Sequence, residues 1–292
     1  MSRTILILGA TGMAGHLVYT YLDETNKYDI ATICHSGSIG SNSYTLDIYN
    51  TSELSEIIRR EKPEYVINCI GVLIKGSKNN PANAIYINAY FPHKLSEIVH
   101  SEFPNAKVIH ISTDCVFSGK RGDYKDSDVK DALDTYGMSK NLGELINDKD
   151  LTLRTSIIGP ELKTNGEGLM HWVFNQRKVG ELNGFQKSIW GGVTTLELAK
   201  VIDFAIEKDI TGLYQISNNV AITKFDLVSL IVNEFNLPIN VNMIDGVDCN
   251  KSIINSIRED FSYNVASYEK MISDMKDFMY NHKTLYTQYL GE

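Results

Sequence analysis

The sequence predicts an α/β protein: a doubly wound parallel sheet of the Rossmann type, completed by a smaller α/β lobe. Three observations predict it. Short, nearly uninterrupted apolar runs recur through the first 158 residues, longer stretches with helical spacing separate them, and a glycine triplet marks the first junction between the two. A strand that is apolar on both faces must be covered on both faces, which helices on either side of a parallel sheet achieve.

The first run, 5–8, leads directly into Gly9-Ala10-Thr11-Gly12-Met13-Ala14-Gly15 and a helix expected over 13–23, with Leu17, Val18 and Leu22 facing inward. In the order strand, glycine turn, helix, backbone N–H groups and the positive helix end approach a pyrophosphate. Gly9, Thr11, Gly12, Met13, Ala14 and Gly15 are therefore the expected dinucleotide cradle. The spacing is GxxGxxG without a following GK[ST], so a Walker-type ATP site is excluded; a tight turn without ligand is the alternative.

The second run, 30–33, ends in Cys34-His35-Ser36-Gly37 with no acid. An acid there would hold an adenine ribose 2′-hydroxyl and repel a 2′-phosphate. Its absence favours NADP over NAD, with His35 and Ser36 as phosphate partners and Asp47-Ile48, after a further short strand, at the adenine edge. A helix over 51–61 is announced by Asn50 with Glu53 three residues later and stopped by Pro63.

The third run, 65–70, continues into Gly71. A helix over 82–102 carries Asn88, which either braces the site or is a satisfied structural residue. The fourth run, 108–111, ends in Ser112-Thr113-Asp114, and strand C-termini are where an open parallel sheet presents its site. A helix over 132–148 places Tyr136 and Lys140 four residues apart on one face. A phenol with an ordinary pKa near 10 needs a neighbouring cation to work at neutral pH. The run 151–153 closes the core.

Past Gly159-Pro160 the alternation lapses. Residues 1–158 are expected to form the nucleotide-binding core and 159–292 mainly the substrate-binding lobe, with some segments returning to the core. Thr194 to Glu197 reads as a helix start ahead of Leu198, Val201, Ile202 and Ala205, and 267–282 as a helix with a buried Met271, Ile272, Met275, Phe278 and Met279 stripe.

Composition excludes several classes. Against 36 Asp and Glu stand 28 Lys and Arg, a net charge of −8 without a basic cluster, so nucleic acid is not an expected partner. No run approaches the ~18 apolar residues of a membrane span, and no signal peptide is read. The four scattered cysteines point to a reducing cytoplasm and to no structural zinc.

With these residues in view the chain resembles an extended short-chain dehydrogenase/reductase, in particular the dTDP-4-dehydrorhamnose reductase family. The matching segments are Gly9 to Gly15, Asn68 to Gly71, Ile87 to Ala89, Ile111 to Gly119, Tyr136 to Lys140 with Gly143-Glu144, and Leu153 to Ser156. The resemblance implies NADPH-dependent reduction of the 4-keto group of a nucleotide-linked 6-deoxysugar in surface-polysaccharide precursor synthesis. Tyr136 would be the proton donor, Lys140 would lower its pKa and hold the nicotinamide ribose, and Thr113, with Ser112 as competitor, would bind the keto oxygen. Asn68, Cys69, Ile70 and Gly71 would pass beneath the cofactor, where Gly71 admits close approach. Asp114, Ile157 and Trp190 would line the sugar pocket; for Trp190 a core role is the equal alternative.

Cys115 and Ile157 stand where rhamnose-forming members carry tyrosine and tryptophan, which points to a different sugar, such as a UDP-linked 2-acetamido-2,6-dideoxy sugar. The resemblance allows a homodimer, but the family's metal-bridged form is not carried over because its glutamate ligands find no match. Two alternatives stand beside the reductase: an epimerase or dehydratase of the same superfamily, and a non-catalytic NADP-binding regulatory subunit.

Overall fold

The computed structural model describes residues 2–291. Six strands follow in the order the sequence predicts, with helices between all but the second and third: β1 (Arg3–Leu8), β2 (Tyr28–Cys34), β3 (Ser43–Thr45), β4 (Tyr65–Asn68), β5 (Lys107–Ser112) and β6 (Leu151–Arg154). They lie in the order β3-β2-β1-β4-β5-β6, all parallel, and the strand Gly212–Gln215 extends the sheet beyond β6. The strand order reverses between β1 and β4, so a crevice opens at their C-terminal ends.

Period-two alternation explains the two cores. Ile5 and Ile7 of β1 join the hydrophobic cluster on one face of the sheet, while Leu6 and Leu8 join that on the other. The helix α1 (Gly15–Glu24) covers the first face together with the helix Thr195–Glu207, and α2 (Thr51–Glu61) with the helix Phe91–Glu102 covers the second. Residues 159–292 thus add both a strand and a helix to the sheet formed by the first 158.

The expected caps form. Asn50 accepts the Glu53 N–H at 3.3 Å, and Lys62 ends α2 in the left-handed region, just before Pro63. Thr194 accepts the Glu197 N–H at 3.1 Å, and the Leu198, Val201, Ile202 and Ala205 face is buried. In the helix Tyr268–Asn281 the methionine stripe is core.

Two helices differ from expectation. The 82–102 stretch is an α-helix whose Ile85–Tyr90 turn is widened to a π-helix. The 132–148 stretch is helical only over Thr135–Leu142, because Asp134 caps its start by accepting the Gly137 N–H and Gly143 closes it. Beyond Gly143 the backbone of Leu145 is taken by the Thr152 hydroxyl, which accepts its N–H and donates to its carbonyl. Among the described residues no helix is long and apolar enough to cross a membrane.

Candidate active site

The glycine turn follows β1 at the reversal point. Gly9 has φ +76°, and a Cβ there would lie 3.0 Å from Ile70 Cγ1 and 3.2 Å from the Cys69 carbonyl carbon. A Cβ on Gly15 would sit 2.2 Å from the Gly9 oxygen. The turn is therefore closed on itself and against Cys69-Ile70, and only glycine fits at its two ends. Gly12 N–H donates to Gly9 O at 2.9 Å; among the described residues the N–H groups of Thr11, Met13 and Ala14 find no backbone acceptor. Open N–H groups at a helix start, with Gly71 exposed beside them, fit a dinucleotide pyrophosphate.

Around this cradle the remaining predicted cofactor residues separate. His35 and Ser36 are exposed at the end of β2, tied to the turn by Thr11 Oγ1, which donates to Ser36 O. Asp47 accepts the Tyr49 N–H at 3.1 Å, a turn role, and Ile48 is buried in the core.

β5 brings the reactive hydroxyls to the same edge. Its last residue, Ser112, is spoken for: Ser112 Oγ donates to Glu144 Oε1 at 2.8 Å, and Glu144 is held by Arg154 (2.8 and 2.7 Å) and Lys130 (3.0 Å). Burial alone would push the Glu144 carboxyl up, but Arg154 and Lys130 hold it below the usual range. Thr113 Oγ1 accepts the Cys115 N–H at 3.1 Å and donates to Asp114 Oδ1 at 3.2 Å, and it also bears on the Tyr136 phenol. Of the two hydroxyls, Ser112 is therefore tied to the buried Glu144 and Thr113 to its own loop.

Tyr136 and Lys140 stand on the helix Thr135–Leu142 as their spacing requires. The expected electrostatics differ, however. Burial pushes the Tyr136 phenol up, Cys115 adds to that, and the Thr113 hydrogen bond opposes it only in part. Lys140 Nζ donates to the Ile111 carbonyl at 2.7 Å and lies 3.4 Å from His110 Nε2. Burial brings Lys140 itself down to about 8, against the pull of Glu144 and Cys69.

Asn88, on the π-turn, donates to Val72 O (2.9 Å) and Ser139 Oγ (3.2 Å) and accepts from Val72 N (2.8 Å). It is both satisfied and a brace, joining the Gly71 loop to the Tyr136 helix. Of the expected sugar-pocket residues, Asp114 is buried, with its carboxyl pushed up by burial, and Ile157 is half-buried. Trp190 lies in the main core against Tyr268, with ring centroids 5.6 Å apart. That is the position of a core tryptophan.

Two cations were missed. The segment 249–254 is stitched onto the loop after Thr113 by Asn250 N–H to Gly119 O (2.7 Å) and Tyr124 N–H to Ser252 O (2.9 Å). It lays Lys251 beside Asp114 and Cys115; against the cost of burial, these neighbours hold Lys251 above its usual range. Lys224, the first residue of the helix Lys224–Glu234, also acts on Asp114. No local spacing signals either residue, since both come from more than 100 positions downstream.

A glycine cradle at the strand-order reversal, with a Tyr and Lys helix beside a strand-end threonine, defines the extended short-chain dehydrogenase/reductase class. The model of the RmlD substrate binding domain family matches residues 3–268, and the chain belongs to that family, the dTDP-4-dehydrorhamnose reductase family of oxidoreductases. It is 27% identical over 242 residues to a dTDP-4-dehydrorhamnose reductase of Aggregatibacter actinomycetemcomitans, covering 79% of this chain and 78% of that one. It is 24% identical over 251 residues to methionine adenosyltransferase 2 subunit beta of Bos taurus, covering 81% and 73%. The structure of a Bacillus anthracis dTDP-4-dehydrorhamnose reductase in complex with NADP superposes with a TM-score of 0.81 at 23% identity, covering 95% of this chain and all of that one.

Proposed function

We propose that this chain is an NADPH-dependent reductase of the 4-keto group of a nucleotide-linked 6-deoxysugar. The observation that carries the reading is that the Thr113 hydroxyl, the Tyr136 phenol and the glycine turn gather at one edge of the sheet, while Ser112 is committed to Glu144. NADPH, when bound, supplies the hydride. Thr113 holds the keto oxygen, Tyr136 gives it a proton as negative charge develops there, and Lys140, while charged, favours the phenolate left behind. The lack of an acid after β2 supports NADPH, with His35 and Ser36 at the 2′-phosphate.

Residues 1–158 act as the cofactor half and 159–292 mainly as the sugar-selecting half, with Asp114, Ile157 and Lys251 at the boundary. Cys115 and Ile157 in place of two aromatic rings support a sugar other than 6-deoxy-4-keto-mannose, with UDP-linked 2-acetamido-2,6-dideoxy-4-ketosugars first among the candidates.

The test is NADPH consumption with a panel of dTDP- and UDP-linked 4-keto-6-deoxysugars, with Tyr136→Phe as control. A positioned acid contributes about 10²- to 10⁴-fold, so the variant should lose that much activity while still binding NADPH. Consumption that survives Tyr136→Phe would sink the mechanism. NADPH binding with no consumption of any sugar would favour the regulatory role that the methionine adenosyltransferase relative suggests.

A further inference from the structure

Behind the phenol lies a buried chain of polar atoms whose hydrogens can be counted. Asn68 at the end of β4 and His110 in β5 are neighbours across the sheet, and both are fully buried. The Asn68 amide has one sensible orientation, because its Oδ1 accepts the Ile70 N–H at 3.1 Å. Its Nδ2 is then the donor to His110 Nδ1, also at 3.1 Å.

A ring nitrogen that accepts carries no hydrogen, so the single proton of the neutral imidazole sits on Nε2. That Nε2–H faces Lys140 Nζ at 3.4 Å, while Nζ donates to Ile111 O at 2.7 Å. An ammonium has three hydrogens and no lone pair, so it would meet the ring N–H head-on. A neutral amine accepts the ring N–H and still donates to the Ile111 carbonyl. Only the neutral amine satisfies every atom from Ile70 to Ile111.

We propose that His110 is a positioning residue for Lys140: held by Asn68, it presents Nε2–H to Nζ and supports the uncharged amine, so that the cation beside Tyr136 is one the protein can discharge. The proton exchanged is Lys140's own, passed to and from water. Other groups face the pair. Glu144, just beyond the same helix, and Cys69 after β4 favour the charged lysine, Tyr136 lies one turn before it, and His93 on the helix Phe91–Glu102 adds to the forces that keep His110 neutral. Burial acts in the same direction, lowering both Lys140 and His110. For catalysis the inference rests on the reductase reading: the phenolate is supported only while Lys140 is charged, so the alkaline limb of activity should follow this lysine.

The deciding measurements need no substrate. Ring ¹⁵N NMR of the full chain should show His110 as the Nε2–H tautomer between pH 6 and 9, and lysine side-chain ¹³C NMR, assigned by loss of the signal in Lys140→Ala, should follow Lys140. In His110→Leu, which lacks the donor, Lys140 should titrate about one pH unit higher, a tenfold change in its acidity. In His110→Gln, whose amide can donate to Nζ and accept from Asn68, it should titrate as in the parent. An Nδ1–H tautomer or an imidazolium overturns the proposal, as does an unchanged Lys140 titration in a folded His110→Leu. If His110→Leu does not melt cooperatively, the parent tautomer and the Gln variant decide. Because neither NADPH nor sugar is present, failure of the reductase reading would leave these readouts standing, and the reverse also holds.

Discussion

Gly71→Ala separates the cofactor from the fold. The added methyl would meet only Asn88 Oδ1, at 3.6 Å, an ordinary van der Waals distance, and the residue is otherwise exposed. The protein therefore has room for it, and narrowing the unfolded ensemble should leave stability unchanged or raised by about 0.4–1 kcal/mol. If a dinucleotide crosses this backbone in contact, the methyl intrudes on the ligand. Overpacking of that kind costs about 1–3 kcal/mol, which is about 5- to 150-fold in Kd. Thermal melting and NADPH fluorescence titration on the same preparation check both halves. Equal NADPH affinity with an unchanged melt would refute the placement of the cofactor over Gly71. Gly15→Ala provides the contrast: its methyl would lie 2.2 Å from Gly9 O and 2.9 Å from Ala10 Cα, so stability and NADPH binding should fall together.

The two β5 hydroxyls should respond differently. Thr113→Ala should cut turnover and, by removing the cap that accepts the Cys115 N–H, cost about 0.5–2 kcal/mol, whereas Thr113→Ser should retain both. Ser112→Ala removes one donor from a buried carboxylate and should cost about 1–3 kcal/mol in denaturant unfolding with little effect on turnover; the opposite pattern would reassign the keto-oxygen contact. His16 carries a pH signature. It is fully buried, donates from Nδ1 to Gly12 O at 2.8 Å and meets Tyr286 Oη from Nε2 at 3.1 Å, and burial takes it from 6.5 down to about 4. The unfolded chain takes up this proton below pH 6.5 and the folded chain does not until about 4, so stability is full above 6.5 and lost on acidification through that window. The loss from this group is about 3 kcal/mol, and His16→Gln should flatten that part of the pH dependence of unfolding.

Much of the fold was legible because its signals are local. Asn50, Thr194 and Ser267 cap helices through N–H groups three residues away, and five of the six strands read as apolar runs because both faces of the sheet are covered. The 132–148 helix was overread because apolar spacing continues past Gly143, where the Thr152 hydroxyl captures the chain instead. The Gly212–Gln215 strand was not assigned to the sheet, since nothing in four residues says that they will pair with β6 from 58 positions away.

The site divides in the same way. The glycine turn and the Tyr136 to Lys140 spacing are properties of one turn and one helical repeat, so the sequence by itself determined that a dinucleotide cradle and a phenol with a lysine on its face would exist. It also set the net charge of −8, against which an anionic cofactor must be held by local N–H groups. Tertiary structure alone decided which hydroxyl is bound to Glu144, what Lys140 points at, that Trp190 is core, and that Lys251 lies beside Asp114. Those outcomes depend on burial and on contacts between residues distant along the chain. A side chain's charge and partners are set by what folds around it, not by its neighbours in sequence.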